Sequence, residues 1–188
     1  MEKTITQEAS FSFEIKKSRF ISLSFIIKSE ASFNFLIEKI KKDYKNATHI
    51  VFGICFSLYN CKFSDGNEPK GSAGKQIFHI LHTQKIINSL IVIIRFLNGG
   101  KLGLGLLQNS YKKAAREVLK LSKINNLKIW FPYQIEIQIK NLPLILQVIK
   151  KNNCKIKKKE FFKTVKIEFE CETDLDENFG FTFQKLKK

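Results

Sequence analysis

The 188-residue sequence predicts a mixed α+β protein of two domains. The first half combines strand-like and helical apolar patterns with two glycine-rich loops, at 62–76 and 98–105, each of which leads into a helix. From residue 130 the pattern changes to strands with one apolar face, in the order strand, helix, strand, strand, helix. That order is typical of a ferredoxin-like domain lacking its last strand. We therefore place the domains at 1–123 and 130–188, with a linker at about 124–129.

Three strands and three helices are expected in the first half. Apolar residues alternate with polar ones over 19–27, which indicates a strand, and Ser29 is placed to cap the following helix. Near-continuous apolar runs at 49–59 and 89–94 indicate strands covered on both faces. Helices are expected at 76–84 and after the second loop, where the apolar stripe consists of Leu107, Tyr111, Ala114, Ala115 and Val118.

The second half is expected to begin with a strand over 133–139 and a helix capped by Asn141. A hairpin of 154–159 and 165–171 follows. A turn near Phe162 would place Lys157 opposite Glu168 and Lys155 opposite Glu170. The lysine cluster at 150–166 can therefore be a neutralised surface or an RNA-binding patch. A last helix is expected from a capping box, Asp174 and Glu177, and from the apolar residues Leu175, Phe179, Phe183 and Leu186.

The chain has 33 basic and 17 acidic residues and a net charge of +16. This charge permits contact with a polyanion such as RNA, but only three of the basic residues are arginine. The abundance of Lys, Ile, Asn and Phe also fits drift in an AT-rich genome. Charged residues within the first twenty argue against a secretory signal, and apolar runs shorter than about 18 residues argue against a membrane span. We expect a cytoplasmic protein.

The cysteines and histidines show no metal-binding spacing. No C-x-x-C pair occurs, so the four cysteines are expected to be reduced, buried and small; they are Cys55, Cys61, Cys154 and Cys171. His79 and His82 lie three apart on a predicted helix, and His49 is a conceivable third zinc ligand. Because no carboxylate or cysteine stands at ligand spacing, we expect neither metal nor cofactor.

The glycine-rich loops match neither standard nucleotide motif. Pro69 stands where a Walker A sequence ending at Gly74 and Lys75 needs its first glycine, and the second loop lacks the third glycine of a dinucleotide fingerprint. Both loops nevertheless enter helix N-termini, which attract anions, so a phosphate or carboxylate could be held there. The alternative is that the glycines only form tight turns. Asp65 and Glu68 are likewise either a general acid and base or turn residues.

Four motifs occur in order over about residues 16–120. They are SRF at 18–20, ATH at 47–49, SDGNEPKGSAG at 64–74 and RFLNGGKLGLGLL at 95–107, with Tyr111 following. In these motifs the chain resembles the Impact family, whose bacterial branch is called YigZ. The resemblance implies an N-terminal α/β sandwich like the second domain of a small-subunit ribosomal protein, and a ferredoxin-like C-terminal domain. Gly66, Asn67 and Lys70 depart from the usual family loop, which a contact surface would tolerate better than an exacting chemistry.

The resemblance implies a role in translation, since the family's eukaryotic namesake regulates translation under stress. We expect a regulatory protein that binds RNA, the ribosome or a protein of the translation machinery. The alternatives are a small enzyme acting on a phosphorylated or carboxylated substrate through Asp65 and Glu68, and a protein-binding module without nucleic-acid contact. We expect Asp65, Glu68, Arg95 and Lys101 to line one cleft. The candidate ligand- or anion-binding residues are Lys70, Gly71, Ser72, Ala73, Gly74, Arg95, Gly99, Lys101, Gly103, Gly105, His49 and Tyr111.

Overall fold

The computed structural model describes residues 1–99, 101–128, 130–172, 175 and 182–186. The chain forms two compact units, Met1–Leu127 and Lys128–Lys188. The predicted two-domain α+β fold class is confirmed. None of the helices in the described residues has both the length and the apolar character that a membrane span requires.

The first unit begins with strands that the sequence patterns did not reveal. Its strands are β1 (Lys3–Gln7), β2 (Ala9–Ile15), β3 (Ser18–Ile26), β4 (His49–Cys55), β5 (Cys61–Ser64), β6 (Ser89–Leu97) and β7 (Lys123–Asn126). Its helices are α1 (Glu30–Asp43), α2 (Gly74–Thr83) and α3 (Leu104–Leu121). The apolar run predicted as one strand ends early, because a turn in which the Phe56 N–H donates to the Asn60 carbonyl at 2.9 Å reverses the chain into β5.

Five strands form an antiparallel sheet in the order β2-β3-β6-β4-β5. The central strand β6 is buried from Ser89 to Arg95 because helices cover both faces. Its Ile91 and Ile93 belong to the core with α2 and α3, whereas Leu90 and Val92 belong to the core with α1. The unit is therefore a three-layer sandwich.

Strands β1 and β7 pair with each other, antiparallel and outside the main sheet. The pairing places Ile5 opposite Ile124, and Ile5 is only 1% exposed in the main core. Residues 124–126 were expected in a linker, but the structure places them in β7 as part of the first unit. The apolar Ile124 explains the difference, since its side chain packs against the core.

Helix α2 begins very close to the sheet. A Cβ added to Gly74, the first residue of α2, would lie 2.2 Å from the Ser64 carbonyl oxygen and 2.8 Å from that of Phe52. No side chain fits in that space. Glycine is therefore required at this position for α2 to start against β4 and β5, and this contact fixes the loop between β5 and α2.

The second unit contains β8 (Phe131–Ile137), α4 (Leu142–Lys151), β9 (Lys155–Phe161), β10 (Val165–Cys171) and β11 (Gln184–Lys185). They form one antiparallel sheet in the order β11-β8-β10-β9. The apolar residues of β10, among them Ile167 and Phe169, share a core with Ile145 and Ile149 of α4. The ferredoxin-like prediction holds with one correction, because β11 supplies the last strand that was expected to be absent. Two polar residues give no strand pattern in the sequence.

The caps and the last helix predicted for this unit have mixed outcomes. Asn141 stands at the start of α4 as predicted, but its side chain makes no capping hydrogen bond. Asp174, Glu177 and Phe179 lie outside the described residues. Within residues 182–186 the chain forms β11, and the predicted helix does not extend to Leu186.

The cysteine prediction is wrong, because the structure contains two disulfides. Cys55 is bonded to Cys61, and Cys154 to Cys171. Cys55 and Cys61 are direct partners in the register of β4 and β5, and Cys154 extends the register that pairs Lys155 with Glu170. Sequence spacing does not reveal such pairs, because they depend on where each hairpin turns.

Candidate functional site

The loop of residues 65–73, between β5 and α2, is held closed by Asp65. One oxygen of its carboxylate, Oδ2, accepts from the Gly71 N–H at 2.8 Å, while Oδ1 accepts from the Ala73 N–H at 2.9 Å and the Lys75 N–H at 3.5 Å. Asp65 also accepts the Glu68 N–H through its carbonyl, at 3.0 Å. The anion at the start of α2 is therefore the chain's own carboxylate.

Glu68 reaches from the same loop into the interior, where its side chain is 3% exposed. Its Oε1 accepts from Arg95 Nη1 at 2.7 Å and from the Tyr111 hydroxyl at 2.7 Å. His49 Nε2 lies 3.7 Å from the same oxygen, beyond hydrogen-bonding distance. Three side chains, from β4, β6 and α3, thus lie around the carboxylate that the loop supplies.

The sheet positions His49 and Arg95 in this network. His49 begins β4 and is the direct register partner of Arg95 near the end of β6. Arg95 is 3% exposed; its Nη2 donates to Ser18 Oγ at 3.2 Å, and its guanidinium lies 5.5 Å from the centre of the Phe20 ring. The same ring meets Tyr111 edge-on at 5.3 Å. Packing therefore holds Arg95 against Glu68.

Burial decides the protonation of the neighbouring groups. It raises the pKa of Tyr111 far above its ordinary value, and the hydrogen bond to Glu68 acts in the same direction, so the phenol stays a proton donor. Burial lowers the pKa of His49, with Arg95 acting in the same direction and Glu68 opposing both. His49 is therefore neutral near pH 7.

A cavity of about 420 Å³ opens above this network. Its walls are His49, Asn67, Glu68, Pro69, Arg95, Leu97, Lys101, Leu102 and Leu107. Residues of both glycine-rich loops thus meet at one cavity. Two buried polar atoms of its wall residues, His49 Nδ1 and Arg95 Nε, have no hydrogen-bond partner among the residues that the structure describes.

Helix α3 starts beside this cavity without a cap. Gly103 precedes the helix and makes no side-chain hydrogen bond, and the first turn contains no acidic residue. A Cβ added to Gly103 or Gly105 would meet nothing within 4 Å. Around these two glycines the start of α3 is therefore open, and the N–H groups of residues 104–106 have no acceptor in the described part of the chain.

The structure brings together some of the candidate residues and separates others. His49, Glu68, Arg95 and Lys101 line the cavity, and Tyr111 supports it through Glu68. Asp65 does not line the cleft predicted for it. The remaining first-loop candidates have local roles or lie at the surface: Gly71 and Ala73 bind Asp65, buried Ser72 donates to the Pro69 carbonyl at 2.6 Å, Gly74 seats α2, and Lys70 is exposed. Gly99 is exposed beside Lys17.

Several wall residues and one supporting residue of the site were not among the candidates predicted from the sequence. Ser18, which bonds Arg95, stood in the SRF motif, and Asn67 stood in the first loop, so both were within reach of a motif-based search. Leu97, Leu102 and Leu107 were not predicted as walls, because an apolar residue that lines a cavity has no distinguishing pattern.

In the second unit, two of the eight lysines in the cluster at 150–166 form ion pairs with described residues. Lys157 Nζ lies 2.9 Å from Glu170 and Lys158 Nζ lies 2.9 Å from Glu160. Lys155 pairs with Glu170 in the strand register as predicted, but Glu168 faces Lys158 rather than Lys157. The error arises because the turn is centred on Lys163 and the register shifts between Glu168 and Phe169. The two ion pairs support the neutralised-surface interpretation for Lys157 and Lys158.

Comparison with known proteins identifies relatives for the first unit. Residues 16–119, more than half of the chain, match the Impact N-terminal domain family. The IMPACT family member YvyE of Bacillus subtilis is 32% identical over 118 residues, which cover 62% of this chain and 54% of YvyE. An IMPACT family member of Haemophilus influenzae is 33% identical over 115 residues, covering 59% and 56%. The chain spans about half the length of the curated relatives it matches.

Among solved structures, the crystal structure of a hypothetical protein is similar with a TM-score of 0.66 and 21% identity. The similarity covers 91% of this chain and 86% of that one, which supports the fold of both units. The structure of the two-domain translational regulator Yih1 is similar with a TM-score of only 0.34 and 14% identity, over 62% of this chain and 46% of that one. A likeness of that size does not bear on the fold.

Proposed function

The chain belongs to the Impact family, and from this premise we propose that it is a translation-associated regulatory protein that acts by binding rather than by catalysis. The proposed partner is RNA or the ribosome, or else a protein of the translation machinery. A cytoplasmic location belongs to the same proposal. The family membership supports the link to translation, and the geometry of the site supports binding.

The observation that carries the proposal is that both candidate acid–base carboxylates are already engaged. Asp65 accepts the N–H groups that close its own loop. Glu68 is buried and held by Arg95 and Tyr111. A general acid or base must exchange a proton with a substrate, and a carboxylate fixed in a buried ion pair is poorly suited to that role.

The distribution of lysines supports a polyanionic partner of the first unit. Lys101 and Lys112 form no ion pair among the described residues, whereas Lys157 and Lys158 are each paired with a glutamate. Unpaired lysines can neutralise phosphates without losing an internal contact. Lys101 and Lys112 are therefore better candidates for RNA contact than Lys157 and Lys158.

One observation favours the alternative of an enzyme acting on a phosphorylated or carboxylated substrate. His49 lines the cavity, and no described residue is a hydrogen-bond partner of its Nδ1. With a lowered pKa, His49 would be neutral and able to accept a proton from a bound substrate. In that alternative His49, and neither Asp65 nor Glu68, would be the base.

The proposal is tested by co-sedimenting the protein with ribosomal subunits and by titrating it with single-stranded RNA at several salt concentrations. We expect the logarithm of the RNA association constant to fall linearly with the logarithm of the salt concentration, with a slope of about −0.7 for each phosphate engaged. Lys101→Ala or Lys112→Ala should weaken binding and flatten the slope by nearly one contact.

Lys157→Ala is the matched control, since it removes the same charge from a lysine that is already paired. It should leave RNA affinity unchanged. The proposed RNA contact through the first unit would be wrong if the RNA affinity did not depend on salt concentration. It would also be wrong if all three substitutions changed the affinity equally. Retained co-sedimentation under those conditions would then indicate a protein partner.

A further inference from the structure

We infer that the cavity between the two glycine-rich loops binds a phosphate group. The inference rests on the proposed function, in that it treats the cavity as a binding site, and it adds the chemical class of the ligand. The apolar walls, Leu97, Leu102 and Leu107, leave room for more than the phosphate itself in a cavity of about 420 Å³. The phosphate can therefore belong to a free nucleotide or to an RNA chain.

The charge of the cavity favours an anion. Arg95 and Glu68 neutralise each other at 2.7 Å, both with side chains 3% exposed. Burial keeps His49 neutral by lowering its pKa. Lys101 is thus the charge left over on the walls, and it forms no ion pair within the described part of the chain.

The buried donors of the cavity lack an acceptor. Arg95 Nε is buried and has no partner within the described residues, although the other two nitrogens of the same guanidinium are bonded. Buried N–H groups in folded proteins are nearly always paired. Because Arg95 Nε has almost no surface open to the cavity, a ligand oxygen would reach it only after a small shift of the guanidinium. His49 Nδ1 is also unbonded, and it can donate to a phosphate oxygen or accept from a ligand hydroxyl, according to its tautomer.

The start of α3 adds further donors. This helix of 18 residues has no side-chain cap, and Leu107 of its first turn lines the cavity together with Leu102 just before it. At the start of α2 the Asp65 carboxylate accepts from the N–H of Ala73, the residue before the helix, and from the Lys75 N–H of the first turn at 3.5 Å. A phosphate beside α3 would take the place that a carboxylate already fills at α2.

The test is isothermal titration calorimetry of the full chain with inorganic phosphate, with a nucleoside 5′-monophosphate and with a single-stranded RNA oligomer. Ionic strength is held constant with chloride. We expect saturable binding of phosphate at one site. Lys101→Met should weaken it about tenfold or more, because a charge-assisted hydrogen bond is lost.

Gly105→Asp and Gly105→Asn form an isosteric pair at a position with space for a side chain. The aspartate should bind phosphate at least about tenfold more weakly than the asparagine, because it repels the ligand and occupies the free end of α3. Lys39→Met removes the same charge as Lys101→Met from α1, on the other face of the sheet, and should leave phosphate binding unchanged. Far-UV circular dichroism checks that every variant is folded.

A phosphate affinity equal in the wild type, Lys101→Met and both Gly105 variants would overturn the inference, as would no phosphate binding by the wild type. If ribosome binding persists in those cases, only the pocket fails and the proposed function stands. If phosphate and nucleotide bind as expected but RNA and ribosomes do not, the pocket is supported with a free nucleotide as its ligand, and the proposed function fails. If Gly105→Asp weakens RNA binding and Gly105→Asn does not, the pocket is supported and the phosphate that it binds belongs to RNA.

Discussion

Replacing Glu68 by leucine should strongly destabilise the first unit. The substitution leaves Arg95, which is 3% exposed, as a buried charge without its carboxylate, and it removes the acceptor of the Tyr111 hydroxyl. Breaking a buried pair by removing one partner costs about 3–5 kcal/mol, and an orphaned hydroxyl about 1–3 kcal/mol. Because the two losses share one carboxylate, we expect a total of about 4–5 kcal/mol rather than the full sum.

The assay is urea unfolding followed by far-UV circular dichroism, with tryptophan fluorescence as an internal control. The chain has one tryptophan, Trp130, and it lies in the second unit. Glu68→Leu should therefore lower the stability measured by circular dichroism and leave the fluorescence transition of the second unit in place.

A double substitution sharpens this prediction. Glu68→Leu with Arg95→Leu removes both charges, and it should be more stable than Glu68→Leu alone by about 2 kcal/mol. A loss below about 1 kcal/mol for Glu68→Leu would refute the buried-pair reasoning. So would strictly additive losses in the double variant.

Three further predictions concern the loops and His49. Asp65→Asn should lower the stability of the first unit by about 1.5–3 kcal/mol in the same urea assay, because its charged hydrogen bonds close the loop, and ribosome binding by the folded protein should stay within a few-fold. Gly74→Ala should destabilise by about 3 kcal/mol or more, whereas Gly103→Ala, with open space around it, should change stability by less than about 1 kcal/mol; similar losses would show that the close approach of α2 is unimportant. Burial lowers the pKa of His49, so its stabilising contribution is present above its ordinary pKa of about 6.5 and is lost as the pH falls. His49→Asn should therefore reduce the loss of unfolding free energy on the acid side of a plot of stability against pH. An unchanged plot would contradict this.

Much of the fold could be predicted because its main elements have clear periodicities. The alternation in β3, the buried run of β6 and the apolar stripe of α3 were sufficient to locate those elements. Strand β7 and the two-residue β11 could not be found in this way. Each is short, and each is a strand because of the neighbour it pairs with rather than because of its own residues.

The site was predicted in part because the motifs supplied the residue types but not their directions. Glu68 and Asp65 stand three residues apart in one loop and looked equivalent in the sequence. In the structure Asp65 turns back onto the N–H groups of its own loop, while Glu68 points inward to Arg95. The disulfides and the hairpin register were missed for a related reason, since one residue of shift in a turn changes every partner.

The pairing of β1 with β7 has a mechanical consequence. Lys3, at the entry of the first unit, is the register partner of Asn126 at its exit, so a pull on the two ends would act on the same rung of the ladder. In this unzipping geometry the hydrogen bonds between β1 and β7 would break one after another. In a shear geometry they would bear the force together. Tension applied through the second unit should therefore peel away β7 at low force, while the buried five-stranded sheet keeps its order. Both strands lie just outside the family match at 16–119, so an isolated domain cut at those limits would lack this release point and would expose the core that Ile5 covers.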